Sequence, residues 1–368
     1  VASDFEISES DYFNGAESVI LAFYSWIDGY VQGPYGKIPR LRTTLNTNDK
    51  IGELKVRFGI DRNNYIVPAG LYAVGNPDKS SPVLATANYK LTVDKLRSCI
   101  DGLDAWIIVA DTKGINVWCA AGKGTFGTNE VIKKIKELKL KELVNHRRII
   151  LPQLCAPGVA SYQVRKHSGF KAVFGPIMAE DIKEFLSNDM KASEEMRTVR
   201  FDAISRLVLT PIEVVHNIKL LLIMLALVLL YNMINIGMLR FGTLLYSTYT
   251  GFLPLFFAVI TGCVIVPLLL PYIPFRSFAI KGMVAGIVLD IAVFLFADRI
   301  PLLAEYKLML ISYMLLIPAV TALISLNFTG SSTYTSFSGA KLETKIALPI
   351  IKAAIALSIL SALVSMML

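Results

Sequence analysis

The stretch AWIIVADTKGINVWCAAGKGTFG, residues 105–127, decides how the rest of the chain is read. Its first part, AWIIVAD at Ala105 to Asp111, is an apolar run of the kind that forms a strand. Its second part, NVWCAAGKGTFG at Asn116 to Gly127, sets Cys119 between a tryptophan and three small residues, with Lys123 four positions on. With Ile115 to Gly122 as a short helix, that spacing puts the ammonium of Lys123 one turn from the sulfur of Cys119. A nearby cation favours the thiolate, the form that binds metals. Ala120, Ala121, Gly122 and Gly124 leave little side-chain bulk around the sulfur, so the segment suits a wide, flat ligand such as a metal macrocycle.

Outward from this stretch, strands and helices alternate. PVLATAN, KLTVDKLRSCI, AWIIVAD, NEVIKKIKELKL, RRIILPQ, GVASYQVRKHSG, KAVFGP and MAEDIKEFLSND follow one another from Pro82. Apolar runs separated by amphipathic segments predict parallel strands with helices on the faces, a Rossmann-like α/β domain. Ligands of such sheets sit beyond the C-terminal ends of the strands. The loops there are TANYKLT, DTKGINVWCAAGKGTF, LPQLCAPG and FGPIMAED, and they are expected to converge on one rim. Upstream, Tyr12 to Tyr30 reads as aromatic, helix-like material, and GPYGKIPRLRTT as a connector. KVRFGID at Lys55 to Asp61 and YIVPAGLYAV at Tyr65 to Val74 read as an antiparallel pair around a polar turn at Arg62 to Asn64.

Composition divides the chain. Of its 368 residues, 54% are hydrophobic, and the excess lies almost entirely after Asn217. Five apolar spans follow, at 218–239, 251–272, 277–297, 306–326 and 346–367, each near the roughly 20 residues that a bilayer crossing needs. The segment FDAISRLVLTPIEVVHNIK, interrupted at Pro211, reads as an interfacial elbow. The expected organisation is an N-terminal region with antiparallel strands at 1–81, an α/β domain at 82–196, a linker at 197–217 and an all-α five-helix transmembrane domain at 218–368. Arg197, Arg200, Arg206 and Lys219 precede the first span and place the front domain in the cytoplasm; Arg276, Lys281, Lys341 and Lys345 fall on that side, against Arg240, Arg299 and Lys307 opposite. NFTGSSTYTSFSGAKLETK, 327–345, reads either as a flexible linker or as a docking loop. Asp290, costly in hydrocarbon, has two readings: an ion or proton pathway or metal contact, and a helix–helix polar contact or a position near the outer interface.

Other functions find little support. The net charge of +8 is scattered rather than gathered in a stripe, which argues against nucleic acid. The start VASDFEISES lacks the basic and apolar regions of a secretory signal. The four cysteines never form CxxC, so neither a zinc site nor an iron–sulfur cluster is readable, and unpaired thiols suit a reducing compartment. GKGTFG matches GxGxxG, but its first glycine comes eleven residues after Asp111, and Glu142 is not at a second strand end. A Walker loop fails at Val117 and Gly124. His146, His167 and His216 lie in no metal or cobalamin motif, and no HExxH occurs. Cys99 reads as core; Cys155, in a strand-end loop, reads as packing, with a ligand contact as the alternative.

NVWCAAGKGTFG closely resembles the cap-helix motif of the HgcA family, the membrane-anchored corrinoid proteins of anaerobic mercury methylation. The soluble domain of that family is related to the large corrinoid iron–sulfur subunit of acetyl-CoA synthesis. The resemblance extends through VLATANYKLT, HRRIILPQLCAPGV, SGFKAVFGPIMAEDI, the five spans and NFTGSSTYTS, most of the chain from about Tyr65. The acetyl-CoA relatives lack a cysteine at the Cys119 position and carry a cluster-binding segment that this sequence lacks. The resemblance implies a cobalamin or related corrinoid, bound base-off with the Cys119 thiolate as lower axial cobalt ligand, and no iron–sulfur cluster on this chain. It implies methyl transfer from cobalt to Hg(II), forming methylmercury. Asn116, Val117, Trp118, Ala120, Ala121, Gly122, Lys123, Gly124 and Thr125 would make up the cap. Thr86 and Asn88, Gln153, Leu154, Ala156, Pro157 and Gly158, and Gly175, Pro176 and Ala179 would hold the corrin edge and its nucleotide tail. The implied partners are a ferredoxin-like iron–sulfur protein, HgcB, a methyltetrahydrofolate-derived methyl donor and the bilayer of the inner (cytoplasmic) membrane. Two other readings stand beside this one: a corrinoid methyl carrier of acetyl-CoA metabolism, and a five-span transporter with a soluble regulatory domain.

Overall fold

The computed structural model describes residues 24–237 and 240–367. The chain forms two compact units, Val1–Val199 and Arg200–Leu368.

The first unit is built on one mixed sheet of seven strands in the order β1-β2-β3-β5-β4-β6-β7. The strands are β1 (Ile27–Gly33), β2 (Gly36–Leu41), β3 (Gly70–Val74), β4 (Val83–Ala87), β5 (Ala105–Ala110), β6 (Arg148–Leu151) and β7 (Lys171–Phe174). The expectation of parallel strands holds for the half that runs β5-β4-β6-β7. β3, β4 and β5 are buried at every position, which is why they read as continuous apolar runs instead of alternating ones. Helices α2 (Lys90–Cys99), α3 (Val117–Lys123), α4 (Thr128–Glu137), α5 (Ser161–Ser168) and α6 (Ile182–Ser187) follow the strands, preceded by α1 (Thr47–Arg57). Val93 and Leu96 of α2, and Val131 and Ile135 of α4, fill the core at helical spacing.

The region before Pro82 differs from expectation. KVRFGID is not a strand: α1 runs into it, begun by a capping box in which the Asn46 side chain accepts from the Asp49 amide and the Asp49 carboxylate accepts from the Asn46 amide. The turn at Arg62–Asn64 is a single 3-10 turn. The antiparallel partner of β3 is β5 rather than Lys55–Asp61. GPYGKIPRLRTT is no connector either, because it holds the two-residue turn between β1 and β2 and then β2 itself. Of the helix-like reading at Tyr12 to Tyr30, the part up to Phe23 lies outside the described residues, as does VASDFEISES, and Ile27 onward is strand. The strands before Pro82 belong to the same sheet as those after it.

A buried ion network locks α1 against α2. Lys90 Nζ lies 2.7 Å from Asp49 Oδ1 and 2.6 Å from Asp94 Oδ2, and Arg97 Nη2 lies 2.7 Å from Asp49 Oδ2 and 2.8 Å from Asp94 Oδ1. Arg97 also donates to the carbonyl of Arg42. Two cations meet two carboxylates with the spare donors used, the condition under which buried charge is tolerated.

The second unit begins with short helices at Ala203–Leu207 and Thr210–His216, the break falling just before Pro211. Five helices long and apolar enough to cross a membrane follow, and four of them are α7 (Ile218–Ile236), α9 (Phe278–Leu295), α10 (Lys307–Asn327) and α11 (Phe337–Ser365). α8 (Phe241–Ile260) continues through a π-turn, Thr261–Ile265, to Leu269. It starts ten residues before the span expected at Gly251, because Ser247 and Thr248 are accommodated by Asn232 of α7 at 3.0 and 3.2 Å. The first span ends with α7 at Ile236; Met238 and Leu239 lie outside the described residues. Residues 327–345 are largely helical, α11 starting at Phe337. Glu343, within that stretch, accepts from Ser277 Oγ and from the Ala279 amide, both at 2.8 Å, and so caps α9. A flexible linker would not hold that geometry.

Candidate functional site

β4, β5, β6 and β7 are parallel, so their C-terminal ends share one edge, and the loops after Ala87, Ala110, Leu151 and Phe174 all leave from it. The antiparallel β3 begins at this edge, since Gly70 pairs with Val109. That places the segment before β3 at the rim as well. Asn63 O and Ile66 Cγ2 each lie 2.9 Å from where a Cβ on Gly114 would stand. Sequence reasoning missed this contribution, because a loop that precedes an antiparallel strand carries no motif and only the pairing brings it here.

The loop from Asp111 to Ile115 is organised by Asn88. Its Oδ1 accepts from the Thr112 amide at 3.0 Å, the Thr112 hydroxyl at 2.8 Å and the Gly114 amide at 3.0 Å, and its amide donates to Asp111 at 3.1 Å. Asn88 is 4% exposed, and its side chain is engaged by this loop. Thr86 is buried at the end of β4.

The loop delivers α3. The Asn116 side chain accepts from the Cys119 amide at 3.0 Å as an N-cap, and Gly124, at φ +80°, ends the helix in a left-handed turn. Val117, Ala120 and Ala121 face the core, and Phe126, fully buried, anchors the exit. Trp118, Cys119, Gly122 and Lys123 are exposed, which sets Cys119 and Lys123 on one face at i, i+4. Nothing stands within 4 Å of where Cβ atoms on Gly122 and Gly124 would be. The thiol therefore sits on an open platform, beside a Trp118 side chain that is 49% exposed.

The turn at Gln153–Gly158 packs directly behind α3. A Cβ on Gly158 would lie 3.0 Å from Ala121 O, so only glycine allows this approach without displacement. Thr128 ties the two loops by accepting from the Ala160 amide at 2.9 Å. Gln153 accepts from Arg197 at 2.8 Å, and the Met196 carbonyl accepts from the Ile177 amide at 2.9 Å, so residues 196–197 join this turn to the one after β7. Leu154 and Ala156 are half-buried and Pro157 is exposed; Gly175 and Pro176 are buried, and Ala179 packs on the core.

The cysteines separate by environment. Burial pushes the Cys155 thiol up to about 12, which keeps it neutral and makes it a packing residue. Cys99 is half-buried, and burial first and Glu180 second raise its thiol as well. His146 contacts the Ser81 carbonyl at 2.9 Å, and His167 is exposed. Among the described residues no three His, Cys, Asp or Glu converge to hold a metal ion.

Residues 34–186 match the family described as CO dehydrogenase/acetyl-CoA synthase delta subunit. The chain is similar to subunits of acetyl-CoA complexes. Over 165 residues it is 30% identical to the acetyl-CoA decarbonylase/synthase complex subunit gamma of Archaeoglobus fulgidus, covering 44% of this chain and 34% of that protein. The corresponding subunit of Methanocaldococcus jannaschii is 32% identical over 130 residues, 35% of this chain and 26% of its own. That of Methanosarcina acetivorans is 37% identical over 94 residues, 24% and 20% of the two chains. The chain thus spans about a third or less of the length of these curated relatives, and the family match ends before the first apolar helix.

Proposed function

We propose that the chain is a membrane-anchored, corrinoid-dependent methyltransferase whose acceptor is Hg(II), with methylmercury as product and the Cys119 thiolate as lower axial ligand of cobalt. The observation that carries this reading is the open thiol platform. Cys119 is exposed on a short helix, Gly122 and Gly124 leave clear space beside it, and α3 follows the edge formed by the C-terminal ends of the parallel strands. The donor set fits the group, since one soft sulfur completes a metal whose other positions a macrocycle fills. Similarity to acetyl-CoA complex subunits supports methyl-transfer chemistry in the soluble unit.

A bound corrinoid supplies a metal centre that holds a methyl group and gives it up to an acceptor. The protein's part is to set the thiolate. Asn116 fixes the Cys119 amide, Asn88 fixes the loop before it, and Gly158 lets the 153–158 turn support α3 from behind. Lys123 brings a cation to the same exposed face of α3. A thiolate would donate more charge to a bound cobalt than a neutral nitrogen does, which would suit methyl transfer to an electrophile such as Hg(II). Trp118, Thr125 and Leu154 to Pro157 border the platform and would hold the corrin edge. Electrons would come from the ferredoxin-like partner HgcB, the methyl group from a methylated folate, and the soluble unit would face the cytoplasm.

The test compares cells carrying the chain with cells carrying Cys119→Ala. Methylmercury formation falls to background in the variant, while the purified protein loses the absorption of a thiolate-ligated corrinoid. Unchanged output rejects the mechanism. A second reading is favoured by the names of the relatives: a corrinoid methyl carrier in acetyl-CoA metabolism. It predicts methyl exchange with an acetyl-CoA-forming complex, and no effect of Cys119→Ala on that exchange.

A further inference from the structure

Asp290 lies in α9 and is 6% exposed. No donor reaches its buried Oδ1 among the described residues. A helix–helix polar contact would satisfy that oxygen, so the residue is not explained as one. Left ionised, it would hold an uncompensated charge inside an apolar helix bundle, which costs several kcal/mol.

Gly282, Gly286 and Asp290 recur every four residues and share one face of α9. At both glycines α9 lies directly on α10. A Cβ on Gly286 would stand 2.6 Å from Pro318 Cα and 3.0 Å from Pro318 N, and one on Gly282 would stand 2.8 Å from Ala322 Cα. Ascending α9 therefore descends α10, and the level of Asp290, one turn past Gly286, meets the turn of α10 before Pro318. That turn contains Met314. Pro318 is inside the helix and has no N–H, so the carbonyl of Met314 is left without its helical donor. Such a group is costly in a bilayer unless a partner is supplied. Nearby polar groups are already used: Thr321 donates to Ile317 O at 3.0 Å, and Tyr313 to Gly251 O at 2.7 Å. By this register, one carboxyl oxygen without a donor among the described residues and one carbonyl without its α-helical donor fall at the same level, and one proton satisfies both.

We propose that Asp290 is a reversible proton-binding site in the membrane unit: when loaded it is a neutral carboxylic acid whose O–H donates to the main-chain carbonyl of Met314. Loading takes one proton from water onto the carboxylate, and unloading returns it. The titratable and charged groups on the packed elements leave the site to Asp290. Tyr313 on α10 is committed to Gly251 O, and Cys263 in the π-turn accepts from Asn217 at 3.6 Å. Tyr246 and Tyr249 of α8 are exposed, Lys307 begins α10, Asp298 and Arg299 lie beyond the end of α9, and Lys281 donates to Ile273 O at 2.6 Å.

The full chain in lipid nanodiscs, followed by infrared difference spectroscopy across a pH titration, tests this. A protonated-carboxyl C=O band is expected at neutral pH, shifting in heavy water and absent from Asp290→Asn. In Pro318→Ala the restored N–H takes the Met314 carbonyl, and the band moves toward the position of a free acid. Absence of any band that Asp290→Asn removes overturns the proposal. So does a band that Na⁺ abolishes at constant pH, which would assign the site to a metal cation, and so does a band unmoved in Pro318→Ala.

Discussion

Replacing Asn88 by alanine removes the hub from which the Asp111–Ile115 loop, and with it α3, is hung. The side-chain oxygen accepts from the Thr112 amide, the Thr112 hydroxyl and the Gly114 amide at 2.8–3.0 Å, and Thr112 itself is fully buried. The variant leaves the two amides without acceptors and the Asp111 carboxylate without the Asn88 donor. A buried donor stripped of its acceptor costs about 1–3 kcal/mol, and the Gly114 amide, only half-buried, recovers part of its loss from water. A local destabilisation of about 2–4 kcal/mol follows, equivalent to a roughly thirty-fold to several-hundred-fold larger opening constant for residues 111–123. Hydrogen exchange with mass spectrometry on the full chain is the assay. Peptides covering 111–123 should exchange faster by that factor, while β4 and β5, whose ladder bonds are untouched, keep their protection. Unchanged exchange in 111–123, or equal loss across the whole sheet, refutes the assignment of Asn88 as the local organiser.

Two further outcomes follow from the same chemistry. Since burial holds the Cys155 thiol at about 12 while an unfolded chain releases its proton near the ordinary thiol value of 9.0, the stability contributed by Cys155 is complete below pH 9 and declines between these values; a Cys155→Ala chain should show a smaller drop in unfolding midpoint over that window, and an identical drop contradicts this reading. Burial raises the Asp49 carboxyl, but hydrogen bonds from Lys90, the Asn46 amide and Arg97 outweigh it and leave the group below the ordinary carboxyl value of 3.8. Its contribution is therefore present above that value and lost as pH falls through the lower folded one. Asp49→Asn leaves two buried cations to share the single carboxylate of Asp94 and should cost about 3–5 kcal/mol in chemical denaturation; a loss below about 1 kcal/mol would show that water reaches the network.

How much could be read in advance depended on whether the signal was local. β4 to β7 and their helices were legible because each strand is buried on both faces and each helix carries one apolar stripe, patterns that survive in one dimension. KVRFGID misled because Val56, Phe58 and Ile60 alternate like a strand, while the feature that governs them, the Asn46–Asp49 capping box, lies nine residues upstream of Lys55. The start of α8 was hidden for a similar reason. Ser247 and Thr248 lower the apolar signal, and their partner Asn232 is on another helix. In the site, Cys119, Gly122 and Lys123 stood out by composition, whereas the role of Asn88 did not, since its bonds reach residues 111–114, more than twenty positions away.

The sequence by itself determined the division into an α/β front and five apolar spans, and it singled out NVWCAAGKGTFG as the segment where a thiol meets small residues. These are properties of composition and short-range spacing, which folding does not alter. Tertiary structure decided that the N-terminal strands join the same mixed sheet, that Val117 faces inward while Cys119 faces open space, and that the loop before β3 reaches the rim. It also decided that Asp290 is buried with no donor to its Oδ1 among the described residues. Each of these depends on which distant segments pair or pack, and hydrogen bonds and close contacts between residues far apart in the chain exist only once the chain has folded.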